Sequence, residues 1–328
     1  MVSAPGDFKK PSKASGSIHV IDPKTMTSTR LAFQNFEQPF ITHGIDVIED
    51  PADANAVYIF AVNHPSNPEY YEREKPDTDA TKARSQIELF HHALNDHSHT
   101  YPLSSFYVTN DHFYCEGIAR LFEDIVSAAK WSNIIHVQVD ELRSADSESG
   151  LRATVALDKI HNANGLGHGS PDGKIVITSA MGATLFRAQA NETNHTISIP
   201  ETIPVASQID NPSYFSDPYR TPSDDASGYL SAGLLRAIDI PRTHTERSAK
   251  DGVLVWYLRP KSNLASVVEG SDGWEQNVLF EDDGTNIRSA SAAVLVPINP
   301  KAEQGKKKAW LFVTGFFSES MIAVNIDL

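Results

Sequence analysis

Six short polar clusters stand at the ends of apolar runs, and they hold most of the residues in this chain that could do chemistry. They are Thr42-His43-Gly44-Ile45, Asn63-His64-Pro65, Leu94-Asn95-Asp96, Asn110-Asp111-His112, Asn162-Ala163-Asn164-Gly165 and Ile209-Asp210-Asn211-Pro212. Carboxylate and carboxamide oxygens are hard ligands. Converging with backbone carbonyls, they suit calcium, which takes about six to eight oxygens. An imidazole beside such a site can take a proton near neutral pH. Zinc would want His or Cys, and His97-Ser98-His99 beside Asp96 only imitates a zinc pair. Taken singly, each Asx pair is most simply a turn or a strand cap. The shared context of all six points to a site. No G-x-S-x-G elbow, H-E-x-x-H helix or glycine-rich phosphate loop competes with them.

The elements that must position these clusters read as strands. The stretch SFYVTNDHFY (105–114) begins with bulky, β-favouring residues and ends on a carboxylate and an imidazole. Similar runs recur from SIHVID (17–22) through AVYIFAVNH (56–64), IIHVQVD (134–140), KIVITSA (174–180) and VLVWYLRP (253–260) to MIAVNIDL (321–328). Pro, Gly, Asp, Asn and Ser clusters separate them. Many short strands with such turns predict an all-β sandwich, barrel or propeller, not a parallel α/β sheet. In a propeller the innermost strand of each blade faces a central channel, so residues scattered along the chain meet there. One helix interrupts the strands. EGIARLFEDIVSAAK (116–130) places Ile118, Leu121, Phe122, Ile125, Val126 and Ala129 on one face, which predicts a cap packed by that face. Its charged residues Glu116, Arg120, Glu123, Asp124 and Lys130 argue against membrane contact. GYLSAGLLRAIDI (228–240) reads as a second, weaker helix. Residues 67–85 read as a polar surface loop, and residues 1–16 as a disordered segment ahead of a single domain, 17–328.

The bulk composition narrows the function further. A net charge of −14 argues against nucleic acid, whose binding needs clustered Lys and Arg. The basic run Lys306–Lys308 falls between two strands, at a hairpin tip. Cys115 is the single cysteine, so no disulfide forms within the chain. No run of about 18 apolar residues predicts a transmembrane segment, and the polar start lacks the apolar core of a signal peptide. The chain as it stands reads as cytoplasmic, or as secreted or membrane-associated if an N-terminal segment precedes it. The sequons at Asn191 and Asn194 matter only in the second case.

In this order, the pieces HGID, VNHPS, LND, FYVTNDHFY, NANGL with SPDGK, and IDN resemble the serum paraoxonase/arylesterase family. The resemblance runs from about residue 17 to the C-terminus, with HGI and FYVTNDHFY its most specific parts. It implies a six-bladed β-propeller with two calcium ions in a central tunnel, and hydrolysis of lactones, aryl esters and, in some members, organophosphate triesters. Carried over by residue, Asn95, Asn164, Asp210 and Asn211 match ligands of the catalytic calcium. Asp96 and the carbonyl of Ile45 match ligands of the structural calcium. His43 and His64 match the pair that activates water, Asp111 the carboxylate that supports them, and His112 a tunnel histidine.

The chain also departs from the pattern. The family carries a Glu-Asp pair ahead of HGI, one residue for each calcium, and nothing here matches it. Each expected site is thus one acidic ligand short, and the first blade is expected to be incomplete. Ser66 stands in VNHPS where the family often has Asp. The leading expectation is a carboxylic ester hydrolase acting on a small-molecule ester or lactone. Two alternatives stay open: a degenerate propeller that binds a small ligand or protein, and a propeller enzyme of the gluconolactonase or strictosidine synthase kind. The sequence does not specify the oligomeric state.

Overall fold

Among the described residues the strand-rich pattern is realised as six antiparallel sheets that follow one another along the chain. The structure is a computed structural model, and it describes residues 16–51, 53–72, 80–94, 105–114, 117–140, 150–261 and 273–328. The described residues fall into two compact units, divided between Ser104 and Ser105.

The first unit holds a hairpin of β1 (His19–Asp22) and β2 (Thr27–Arg30), and a meander of β3 (Thr42–Asp50), β4 (Asp53–Asn63) and β5 (Gln86–Ala93). Its core is aromatic. Phe33 stacks on Phe90 at 4.8 Å, with Phe36 and Phe40 edge-on to both. Such pairs add about 0.5–1.5 kcal/mol each beyond the area they bury.

The second unit holds four sheets. They are β6 (Ser105–Asn110), β7 (Ser132–Val139) and β8 (Leu151–Ile160); β9 (Ala163–Gly167), β10 (Ile175–Ser179), β11 (Thr184–Ala190) and β12 (Ile197–Pro204); β13 (Gln208–Phe215), β14 (Gly228–Leu234), β15 (Val253–Pro260) and β16 (Trp274–Asp282); and β17 (Ala290–Ile298), β18 (Lys308–Gly315) and β19 (Ile322–Asp327). The core lies between consecutive sheets. Ile134 and Ile160 pack on Ile177 and Ile197, Leu185 and Ile203 on Tyr229 and Leu258, and Leu230 and Val255 on Leu295 and Leu311. Each of the buried Ile, Leu and Val side chains among these contributes about 1.5–3 kcal/mol. The leading strands β6, β9, β13 and β17 lie side by side. Side chains stitch them together: Thr109 Oγ1 donates to the Asn164 carbonyl, Asn211 Nδ2 to that of Ser291, and Ser213 Oγ to that of Ala293.

Two helix expectations are corrected. Residues 228–234 are not helical. They form β14, buried along nearly its whole length between β13 and β15. A strand covered on both faces reads as a continuous apolar run, which periodicity cannot tell from a buried helix. Only the end of that stretch coils, as a 3-10 turn at Ala237–Asp239 and then a short helix over Ile240–Thr243. A short helix, α1 (Pro68–Tyr71), interrupts the stretch read as a polar loop, and the other expected helix exists but is shorter, α2 (Gly117–Ile125), and faces the opposite way. Ile118 is 88% and Ile125 70% exposed, whereas Glu123 is 3% exposed. Glu116 lies outside the described residues. Arg120 and Asp124 are half-buried on the inner side, so their charge says nothing about what the outer face meets. Among the described residues no helix is long and apolar enough to cross a membrane.

Candidate functional site

Three of the polar clusters sit in β-bulges. Between Thr42 and Ile45, β3 carries one residue more than β4 opposite, so His43 and Gly44 bulge. Between Ala163 and Leu166, β9 does the same against β10, at Asn164 and Gly165. Between Ile209 and Pro212, β13 does so against β14, at Asp210 and Asn211. An extra residue breaks the alternation of the ladder and re-aims the side chain it carries.

In the first unit the bulge brings His43 to His64. Their rings meet edge to face, with centroids 5.5 Å apart. His43 is exposed, while His64 is half-buried and its Nδ1 lies 2.8 Å from Ser85 Oγ. The neighbouring Asn63 is fully buried and straps this end of the sheet. Its Oδ1 accepts from Ile41 N, and its Nδ2 donates to Pro39 O and to Glu88 Oε1. Ile45 is on the bulged strand, 59% exposed. Asn95 and Asp96 lie outside the described residues, as does the His97–His99 pair.

In the second unit five of the candidates, Asp111, His112, Asn164, Asp210 and Asn211, converge. Gly165 sits so close to the next sheet that a Cβ there would be 2.8 Å from Asn211 Cα and 2.5 Å from Pro212 Cδ. The Asn164 and Asp210-Asn211 bulges are therefore pressed together. Gly165→Ala has no room for its methyl and is expected to cost about 1–3 kcal/mol, read as a lower denaturation midpoint. A neutral result would contradict this close approach.

Asp111 and His112 follow the end of β6. His112 is buried, with Nδ1 2.9 Å from Asp111 Oδ2 and Nε2 2.7 Å from Asp124 Oδ1. Asn162, buried and in the left-handed region at φ 48°, places Nδ2 3.0 Å from His112 Nε2 and accepts from Met181 N. Burial pushes the Asp210 carboxyl up to about 7, and the negative charge of Asp111 adds to the rise. Burial also works against the Asp111 carboxylate, but the His112 imidazole favours its charged form, and the balance lies below the ordinary carboxylate range.

Asp111 thus acts on Asp210, with Asn164 and Asn211 on the bulges beside Asp210. Among the described residues no three His, Cys, Asp or Glu side chains gather as a metal site. A cation here would rely on amide and main-chain oxygens as well as carboxylates. An open cleft of about 480 Å³, lined by Ala183, Gln208, Leu235 and Ile238, lies on the same unit. Gln208 Oε1 holds one wall of it by accepting from Ala237 N.

Sequence reasoning missed two groups here. Glu123 reads in the sequence only as a charge on the helix and Asn162 only as a member of a polar cluster, and both prove to be buried polar anchors. The Glu123 position on the polar side of α2 gave no sign that this side faces inward.

Comparison with known proteins decides the family. The family profile described as Arylesterase matches residues 10–213. The chain belongs to the arylesterase family. Every candidate residue named above, from His43 to Asn211, falls inside the matched region. Serum paraoxonase/arylesterase 1 of Rattus norvegicus is 27% identical over 175 residues, covering 52% of this chain and 45% of that protein. Its Mus musculus counterpart is 26% identical over the same shares. Serum paraoxonase/arylesterase 2 of Rattus norvegicus is 23% identical over 175 residues. The chain thus matches a little under half the length of these curated relatives.

Proposed function

We propose that this arylesterase-family chain is a calcium-dependent hydrolase of lactones and aryl esters, with organophosphate triesters as further substrates. The observation that carries this reading is the close approach of the Asn164 and Asp210-Asn211 bulges, with Asp111 near enough to raise the pKa of Asp210. A carboxylate held out of water with a second, ionised one beside it makes a site short of positive charge. Asp210 with the oxygens of Asn164 and Asn211 forms a hard, sulfur-free donor set, which fits calcium better than zinc. When bound there, calcium supplies polarisation of the ester carbonyl and charge stabilisation of the oxyanion. The family resemblance assigns Asn95 to the same ion, and Asp96 with the Ile45 carbonyl to a second, structural one.

The chain's own groups account for the rest. His43, exposed and in ring contact with His64, takes the proton from the attacking water. Ser85 fixes the orientation of the His64 ring that tunes it. Asp111 and His112 hold the polar end of β6 beside Asp210. The six consecutive antiparallel sheets support reading the chain as a single six-bladed propeller domain over 17–328, with its first blade short.

The test is hydrolysis of phenyl acetate and of δ-valerolactone by the purified chain, titrated with calcium and repeated with a chelator. Saturable, chelator-sensitive turnover is expected. No turnover at millimolar calcium from a folded chain would overturn the hydrolase reading.

A further inference from the structure

The polar side of α2 faces inward, and its deepest group is Glu123. Oε1 accepts from Phe113 N at 2.9 Å and Oε2 from Tyr114 N at 2.9 Å. These are the two residues that follow Asp111-His112. The Glu123 carbonyl accepts from His161 Nε2 at 2.9 Å, next to Asn162. The following residue, Asp124, reaches His112 Nε2 at 2.7 Å.

A buried carboxylate is tolerated where hydrogen bonds replace its lost water. Here each oxygen spends its bond on the main chain of one turn. Charge-assisted bonds of this kind are about twice as strong as neutral ones. A helix that only needed an anchor could bury its apolar face instead. This one leaves Ile118, Leu121, Phe122 and Ile125 exposed and turns its carboxylates inward.

We infer that Glu123 is a positioning residue: its carboxylate clamps the turn after β6 and so fixes where the Asp111 and His112 side chains point. It touches neither substrate nor metal ligand and acts through those two residues. Its effect on turnover rests on the hydrolase reading above, but its effect on His112 does not.

The experiment uses the whole chain with E123Q, which keeps the shape but can accept only one of the two main-chain N–H bonds. E123D, which keeps the charge on a shorter stem, serves as the second variant should E123Q fail to fold. I118A is the control, since Ile118 is 88% exposed on the outer face of the same helix and its removal leaves the turn alone. In metal-free protein, E123Q is expected to shift the His112 ring nitrogen signals by NMR, while I118A is not. In turnover, E123Q is expected to lower kcat about tenfold, the loss of about one oriented contact, with KM nearly unchanged. E123D should recover part of that loss. An unmoved His112 ring signal in a folded E123Q overturns the positioning role, whether or not the wild-type chain is active. A moved signal with unchanged kcat in an active enzyme confines the clamp to structure and also overturns it. An inactive wild type with a moved signal leaves the positioning role standing and overturns only the hydrolase reading.

Discussion

Asp210→Asn is expected to abolish calcium-dependent ester hydrolysis while making the metal-free chain more stable at pH 8. The two effects have opposite signs because they arise from different states of one carboxylate. In the proposed calcium site, Asp210 is the charged member of a ligand set otherwise made of amides. Removing that charge weakens the ion and the oxyanion stabilisation that depends on it, and turnover should fall by about 100-fold or more. Without calcium the carboxylate has no compensating cation, and burial together with Asp111 raises its pKa to about 7. An acid whose folded pKa is raised holds its proton longer in the folded chain than in the unfolded one. Stability is therefore full below the ordinary carboxylate value near 4 and falls as pH rises through about 7. Asparagine carries no charge at either pH and escapes this penalty, which is on the order of 1–3 kcal/mol. Thermal melts in chelator at pH 5 and pH 8, paired with kinetics in calcium, read both effects. A metal-free Asp210→Asn chain that melts below wild type at pH 8 would remove the case for a charge-poor site. Retained turnover would remove Asp210 from the reaction.

The strands that build the core were legible in the sequence because burial on a pleated surface selects bulky and β-branched residues. VLVWYLRP coincides with β15 over its whole length. Two of the strands that carry the site were not legible as strands. Ala163–Gly167 and Gln208–Phe215 contain the Asn, Gly, Asp and Pro that ordinarily mark turns. They are strands nonetheless, because each forms a bulge and packs tightly against its neighbour, as the room denied to a Cβ at Gly165 shows. Their chemistry could be read only as motifs. Helical periodicity found the two faces of α2 but could not say which faced inward. That choice was made by Glu123 and Asp124, whose partners His161 and His112 are far from them or unremarkable in sequence. His43 and His64 show the converse. Neither stands out alone, yet the pairing of Thr42 with Asn63 makes their contact unavoidable once β3 and β4 form.

Asp251→Ala is expected to destabilise the second unit by about 3–5 kcal/mol, the usual result of removing one partner from a buried ion pair. Asp251 and Arg288 are 5% and 6% exposed. Asp251 Oδ2 accepts from Arg288 Nε at 2.8 Å and Nη2 at 2.5 Å, and Oδ1 accepts from Thr243 Oγ1 at 2.6 Å. Arg288 also donates to the carbonyls of Glu246 and Thr243. Three separated segments of chain thus meet on this pair. Truncating Asp251 leaves a guanidinium in the interior without its counter-charge, which costs far more than the net worth of the intact pair. The double variant Asp251→Ala with Arg288→Met should therefore recover much of the loss, because the orphaned charge goes with it. Urea denaturation of the two variants decides this. A single-variant loss below about 1 kcal/mol, or a double variant worse than the single, would show that the pair is not the buried unit described. A smaller effect should appear at the site. Arg288 opens the segment that leads to the Ser291 carbonyl, and that carbonyl takes the amide of Asn211. Loosening the pair frees the start of β17, so calcium affinity should fall in the single variant and return with stability in the double.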